Sequence, residues 1–154
     1  MLRNSDRGIS KVTSVVVSDC AVIFLNNTGL LNPKLRDFET ILDFVRKVNI
    51  KLISSSDESD PSVLTSCSIA YGRFRYRNTF ELGDMTKNYF VGWPYVRAFS
   101  DNEHGEPKIL PGQCRVLSEN LELPSLPQRL PFVLLEANGK YYYFYWMLDR
   151  DHDI

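Results

Sequence analysis

The sequence predicts an α+β fold in which one principal helix near the N-terminus packs on a mostly antiparallel β-sheet that ends in a C-terminal β-hairpin. Residues 33–48 place apolar side chains at helical spacing, which is typical of an amphipathic helix. Most of the chain after that segment consists of short β-branched and aromatic runs separated by turn residues. The last of these runs carries Asn138-Gly139 at its centre, a strong local signal for a hairpin.

Length and composition set the domain organisation. With 154 residues, the chain is long enough for one domain with a real core. We expect residues 1–10 to form a flexible polar arm and residues 11–154 to form a single α+β domain. A net charge of −1 lacks the basic excess that a dedicated duplex-DNA binder needs.

The cysteines bear on the compartment of the protein. Cys20, Cys67 and Cys114 are odd in number and far apart, and each lies in an apolar, strand-like setting. Such cysteines are typical of reduced, buried thiols, so the sequence predicts a cytoplasmic, intracellular protein. No apolar run reaches the ~18 residues of a membrane-spanning helix, and the first residues are too polar for a signal peptide. We expect no membrane partner.

The first half of the chain is predicted to contain two strands, the helix and a third strand. Residues 12–17 and 20–25 are β-branched runs. Asn32 as N-cap and a proline in the first turn begin the helix, which we expect to end at residue 48. A short strand at residues 50–53 is predicted to follow. The helical residues expected to face the sheet are Leu35, Phe38, Ile41, Leu42, Val45 and Val48.

The second half of the chain is predicted to contain only strands. It begins after a serine-rich, acidic segment at residues 54–62, which we interpret as a solvated loop. Turns are expected at Gly83-Asp84 and at residues 101–107, and residues 121–131 are expected to form an extended cover because they contain three prolines. The predicted strands are residues 63–71, 73–82, 89–99, 108–110 and 114–117, and the closing hairpin follows them.

The closing hairpin is predicted to have a two-residue type I′ turn at Asn138-Gly139. That turn would pair Ala137 with Lys140, Leu135 with Tyr142, and Val133 with Phe144, so that Phe144 and Trp146 would face the core. The opposite side of the last strand would then be an aromatic face suited to docking, either of another protein or of a second copy through an exposed edge strand. That face consists of Tyr141, Tyr143 and Tyr145.

No pattern in the sequence predicts catalysis. The two histidines, His104 and His152, lie in acidic segments, and the chain has no phosphate-binding glycine loop and no Cys-x-x-Cys pair. The aspartates at positions 149, 151 and 153 are interpreted as a solvated tail because terminal residues rarely hold precise metal geometry. We therefore expect a non-catalytic protein with no cofactor and no metal.

An alternating arginine segment is the first candidate binding feature. On a strand, Arg73, Arg75 and Arg77 would share one face, while Phe74 and Tyr76 would point to the other. The arginines are either the solvent face of a strand or a cationic strip for an acidic protein or for RNA phosphates. Sheet-based RNA readers carry aromatics and base contacts on one face, so this alternation favours a protein partner.

An aromatic pair is the second candidate binding feature. Trp93 and Tyr95 flank Pro94 in a predicted edge strand. Trp93 is either a core residue beside a bulge at Gly92 or an anchor at a protein interface, where Trp, Tyr and Arg concentrate binding energy.

The leading hypothesis is a non-catalytic macromolecule-binding protein whose expected partner is another protein. Inhibitors, immunity-type proteins, viral or phage accessory factors and assembly subunits all fit this description. One alternative is a single-stranded RNA- or DNA-binding protein that uses the arginine strand, and a second is an enzyme with an unrecognised motif. The predicted binding residues are Arg73, Arg75, Arg77, Trp93, Tyr95, Tyr141, Tyr143 and Tyr145.

Overall fold

The computed structural model describes residues 11–17, 20–26, 35–55, 63–81, 85–119, 121 and 130–149. The predicted α+β class is confirmed, because strands dominate, the first helix packs on a sheet and the last two strands form a hairpin. The elements in chain order are β1 (Lys11–Val17), β2 (Cys20–Asn26), α1 (Leu35–Ser54), β3 (Cys67–Ile69), β4 (Arg75–Glu81), β5 (Met85–Val91), α2 (Trp93–His104), β6 (Cys114–Leu117), β7 (Phe132–Ala137) and β8 (Tyr141–Asp149).

The central sheet has four described strands in the order β3-β6-β8-β7. β3 pairs with β6 in parallel, and the other two pairings are antiparallel, as a mostly antiparallel sheet requires. β1 with β2, and β4 with β5, form two further antiparallel pairs, which confirms strands at the first two predicted positions. Of the other predicted strands, residues 63–71 shorten to β3, the strand predicted from residue 73 begins two residues later as β4, and residues 108–110 form no strand.

Helix α1 covers one face of the central sheet with its predicted apolar stripe. Phe38, Leu42 and Val45 are buried, and they pack with Phe144 and Trp146 of β8. Burial of one such side chain contributes about 1.5–3 kcal/mol relative to exposure. Leu35 and Ile41 are partly buried at the margin of the same cluster. The core therefore lies between α1 and the hairpin.

Helix α1 extends beyond its predicted end, and the predicted strand at residues 50–53 is wrong. Asn49, one residue beyond the predicted end, is buried inside the helix. Its Nδ2 donates to the carbonyl oxygen of Val45 at 2.9 Å, and its Oδ1 accepts from Thr65 Oγ1 at 2.7 Å. Because both ends of the amide are satisfied, the helix continues through a polar residue at low cost. The predicted N-cap, Asn32, lies outside the described residues.

Helix α2 replaces the second half of a predicted strand. The strand predicted at residues 89–99 is wrong after Val91, where β5 ends and Gly92 turns the chain into the helix with φ 156°. Pro94 lies in the first helical turn, where a missing N–H breaks no helical hydrogen bond. The predicted turn at residues 101–107 is wrong for its first half, because residues 101–104 complete α2.

The closing hairpin has the predicted turn but not the predicted register. Asn138 and Gly139 have φ 56° and 65°, as a type I′ turn requires. However, Ala137 pairs with Tyr141, so Lys140 joins the loop and the cross-strand partners of residues 133–137 each shift by one residue, while a register irregularity after Phe132 pairs that residue with Asp149. A one-residue shift changes the face that each side chain meets. Leu134, not Val133, therefore lies opposite Phe144, and Leu135 is 55% exposed.

Candidate functional site on helix α2

Helix α2 is attached to the central sheet by a buried ion pair between Arg115 of β6 and Asp101. Cys114 and Val116 of β6 point into the core beneath α1, so the alternation of a strand directs Arg115 to the other face. Arg115 is fully buried, and its Nε and Nη2 donate to the two carboxylate oxygens of Asp101 at 2.8 and 2.7 Å. The two helices thus contact opposite faces of the sheet.

The remaining hydrogen-bonding groups of this pair are also occupied. Nη1 of Arg115 donates to the carbonyl oxygen of Pro107 at 2.7 Å, and Ser68 Oγ donates to Asp101 at 2.7 Å. Burial lowers the pKa of Arg115, but the hydrogen bond and charge of Asp101 outweigh burial and raise the pKa above its ordinary value. A Cβ at Gly105 would overlap the guanidinium, so this packing requires glycine. Arg115 and Asp101 therefore have a structural role, which is to join α2 to β6 of the central sheet.

The predicted tyrosine face meets this ion pair. The guanidinium carbon of Arg115 lies 4.7 Å from the ring centroid of Tyr141, which is buried. Tyr143 is half-buried, with its ring 5.4 Å from that of Tyr141, and Tyr145 is 41% exposed. Of the three tyrosines, the structure leaves Tyr145 most open to a partner and places Tyr141 inside.

The outward side of α2 combines three exposed apolar side chains with the exposed Arg97, Ser100, Glu103 and His104. Trp93 is 59% exposed, Val96 50% and Phe99 47%. Pro94 and Asp101 lie on the inward side, as the helical period dictates. Tyr95 is partly buried beside this row, with its ring 6.2 Å from that of Phe99. Trp93 is thus not the core residue that its strand-like surroundings suggested.

Arg97 joins the apolar row at its first turn. Its guanidinium carbon lies 5.7 Å from the Trp93 ring centroid, and its Nε donates to Glu119 Oε2 at 2.8 Å. The cation–π contact favours one position of the indole, and the ion pair anchors the guanidinium. Trp93 is therefore both exposed and oriented.

The predicted arginine segment lies directly beside Trp93. A Cβ at Gly92 would lie 2.6 Å from the carbonyl oxygen of Arg73, so only glycine permits this approach of the backbones. Arg75 pairs with Val91 across β4 and β5, and both are exposed. The side chain of Arg77 lies outside the described part of the chain.

Two features that are separate in the sequence thus form one surface. The side chains of Arg73 and Arg75 are exposed, and no described carboxylate forms an ion pair with either. Phe74 and Tyr76 point away, as the alternation predicts, and both rings lie 5.0 Å from that of Phe24. We call this the aromatic–arginine surface, and it consists of Arg73, Arg75, Trp93, Val96, Arg97 and Phe99.

Three members of this surface were not among the predicted binding residues. Val96 and Arg97 follow Trp93 by three and four positions, and Phe99 follows Val96 by three, which places successive members of this set beside each other on a helix. That helical spacing was present in the sequence, but the β-branched Val96 and the aromatic Phe99 favoured a strand.

Comparison with known proteins adds no assignment to the site. No protein-family model, curated protein or solved structure matches this chain. Within the described ranges, no helix combines the length and the apolar character that crossing a membrane requires. The same part of the chain contains no cluster of three or more His, Cys, Asp or Glu side chains arranged to hold a metal ion.

A small open cleft lies at the C-terminal end of α2. Its volume is about 300 Å³, at the lower limit for sites that enclose small molecules. Its lining contains Ser66, Glu103 and Lys108 but neither a cysteine nor a histidine. The lining residues are Leu64, Ser66, Asn102, Glu103, Lys108, Ile109 and Pro111.

Proposed function

We propose that this chain is a non-catalytic protein that binds another protein through the aromatic–arginine surface. The observation that carries the proposal is the exposure of Trp93 beside Val96 and Phe99 on the outward side of α2. Trp, Tyr and Arg supply most of the energetic centres of protein interfaces, and apolar side chains exposed together are typical of interaction sites.

The chemistry of the surface defines its partner. The apolar row suits a groove that receives the indole and the Phe99 ring. Arg73 and Arg75 suit Asp or Glu side chains at the border of that groove, because complementary charge raises the association rate and excludes partners of the wrong sign. A chain that binds such a partner fits the description of an inhibitor, an immunity-type protein, an accessory factor or an assembly subunit. We propose a cytoplasmic location, where the free thiols of Cys20, Cys67 and Cys114 stay reduced.

The packing of Phe74 and Tyr76 favours a protein partner over single-stranded RNA. Phe74 and Tyr76 pack against Phe24 of β2 and do not stand on an open platform. Single-strand binders place aromatic rings where successive bases stack on them. Trp93 is the exposed ring beside the arginines, and a single ring gives little area on which successive bases could stack.

Affinity capture with nuclease treatment tests this proposal. The wild-type protein should retain one stoichiometric partner from native lysate after nuclease treatment, and Trp93→Ala should weaken that complex about 30-fold, as the loss of an energetic centre worth about 2 kcal/mol does. The matched control is Ile50→Ala, because Ile50 is an exposed apolar residue of α1, on the opposite side of the sheet.

Two outcomes would contradict the proposal. Equal binding by wild type and Trp93→Ala would show that α2 is not the contact. Loss of the captured material on nuclease treatment would instead assign the surface to nucleic acid.

A further inference from the structure

Cys67 and Cys114 are direct neighbours in the central sheet. They occupy paired positions on the parallel strands β3 and β6. Paired strands lie about 4.7–4.9 Å apart, which falls within the Cα separation of about 4.4–6.8 Å that disulfides span. Paired residues of a ladder also point to the same face, and both thiols lie in the core region beneath α1.

The two thiols are not equivalent. Hydrogen bonding between them lowers the pKa of Cys67 in spite of its burial. The same hydrogen bond, together with burial, raises the pKa of Cys114 well above its ordinary value. Cys67 is partly exposed on β3, the outermost described strand on its side of the sheet, whereas Cys114 is buried on β6. Cys67 is therefore the thiol better suited to attack an oxidant, and Cys114 is the thiol suited to attack the oxidised Cys67 in a second step.

We propose that Cys67 and Cys114 form a redox modification site that a hydroperoxide oxidises to an intramolecular disulfide. The Cys67 thiolate attacks one peroxide oxygen, so an S–O bond forms, the O–O bond breaks, and the departing oxygen leaves as water or an alcohol after taking a proton. The sulfur of Cys114 then attacks Cys67, so an S–S bond forms and the S–O bond breaks. The second oxygen leaves as water with the Cys114 proton. The two thiols lose two electrons, and the peroxide gains them.

The position of the pair makes this disulfide reversible. Bridged cysteines bring their Cβ atoms to about 3.8 Å, closer than the spacing of a relaxed ladder, so one strand must move. β3 has only three residues and pairs with one described neighbour, and it can shift more readily than β6, which is paired on both sides. A disulfide that holds a displaced strand is strained, and strained disulfides are the readily reduced ones. The site is independent of the aromatic–arginine surface and holds whether or not that surface binds a partner.

Thiol counting on the full chain tests the proposal. Brief treatment with dilute hydrogen peroxide should reduce the titratable thiols of the denatured protein from three to one, and dithiothreitol should restore all three. Peptide mapping of the wild-type protein should give one cross-linked species joining Cys67 to Cys114. Cys20→Ser is the matched control, and it should retain the cross-link. Three surviving thiols, or a cross-link that includes Cys20, would overturn the proposal.

The order of attack has a separate readout. In Cys114→Ala the sulfenic acid on Cys67 has no resolving thiol, so a carbon nucleophile specific for sulfenic acids should label Cys67. In Cys67→Ala the same reagent should leave Cys114 unlabelled, because that thiol is buried and its pKa is raised. Labelling of Cys114 in place of Cys67 would reverse the assigned roles. Peptide mapping of the wild-type protein decides the cross-link even if either variant fails to fold.

Discussion

Arg115 of β6 and Asp101 of α2 form a bidentate ion pair that joins α2 to the central sheet. Two parallel N–H···O bonds fix both the distance and the angle between guanidinium and carboxylate, so the pair also fixes where α2 lies. The exposed row of Trp93, Val96 and Phe99 is thus held on a helix whose inward side is anchored by charge.

Removal of one partner of that pair should destabilise the protein strongly. Asp101→Ala leaves a buried guanidinium without its counter-charge, and we expect a loss of about 3–5 kcal/mol in the free energy of unfolding. Urea titration measures it. Glu119→Ala is the control, because it breaks the exposed pair with Arg97 and should cost less than about 1 kcal/mol. Similar losses in the two variants would show that the Arg115 pair contributes no more than a surface contact.

Truncation in the hairpin should distinguish its two faces. Phe144 is buried, and its ring lies 5.5 Å from that of Phe132, so Phe144→Ala should lower the free energy of unfolding by about 3–5 kcal/mol. Tyr145→Ala, one position along β8 on the open face, should cost less than about 1 kcal/mol. Thermal melts of both variants within a degree or two of wild type would place the hairpin outside the core.

Charge reversal at Arg75 should slow association without affecting the fold. Arg75→Glu places a repulsive charge at the proposed acidic border, so we expect the association rate with the captured partner to fall about tenfold and its salt dependence to weaken. Arg36→Glu makes the same charge change on the exposed side of α1 and should leave the rate unchanged. Kinetic binding measurements at low and moderate salt check both. An affinity that falls log-linearly and steeply with salt would indicate phosphate binding instead.

Alkaline pH should destabilise the protein through the buried Tyr141 and the partly buried Tyr71 and Tyr142. Burial raises the pKa of Tyr141 above its usual 10.0, with the charge of Tyr143 as a second cause. Burial also raises the pKa values of Tyr71 and Tyr142. The folded chain then holds phenol protons that the unfolded chain releases. These groups stabilise the fold below the unfolded-state pKa, and their contribution is lost as pH rises through the folded-state pKa.

Urea midpoints measured from neutral pH to about pH 11 check this expectation. They should fall above pH 10, and Tyr141→Phe should make that fall less steep. A Tyr141→Phe protein with an unchanged alkaline slope would show that this phenol does not contribute.

The sequence predicted those parts of the fold that local patterns specify. The apolar residues of α1 recur at the helical period, and the segment is a helix in the folded chain. Asn138-Gly139 selects its turn type because both residues readily adopt positive φ. The hairpin register was not predictable from the turn, because the packing of Phe132 and Leu134 in the core decides whether Lys140 belongs to the loop.

The remaining features depend on contacts between distant segments. The strand-forming residues of α2 become helical where Pro94 is buried and Asp101 binds Arg115 of the central sheet, and tertiary packing of this kind overrides propensity. The pairing of Arg115 with Asp101 follows no local spacing. The aromatic–arginine surface likewise forms only because Gly92 lets the backbone of Arg73 approach α2.

The two tryptophans give this protein two separate optical reporters. Trp146 is buried and its indole N–H donates to the carbonyl oxygen of Gly112 at 2.9 Å, whereas Trp93 is exposed. A soluble quencher should therefore reach Trp93 first, and the blue-shifted emission that remains should come from Trp146. In Trp93→Phe protein, fluorescence would follow unfolding of the core alone. In Trp146→Phe protein, the remaining emission would report what touches α2, so folding and binding can be followed independently in one molecule.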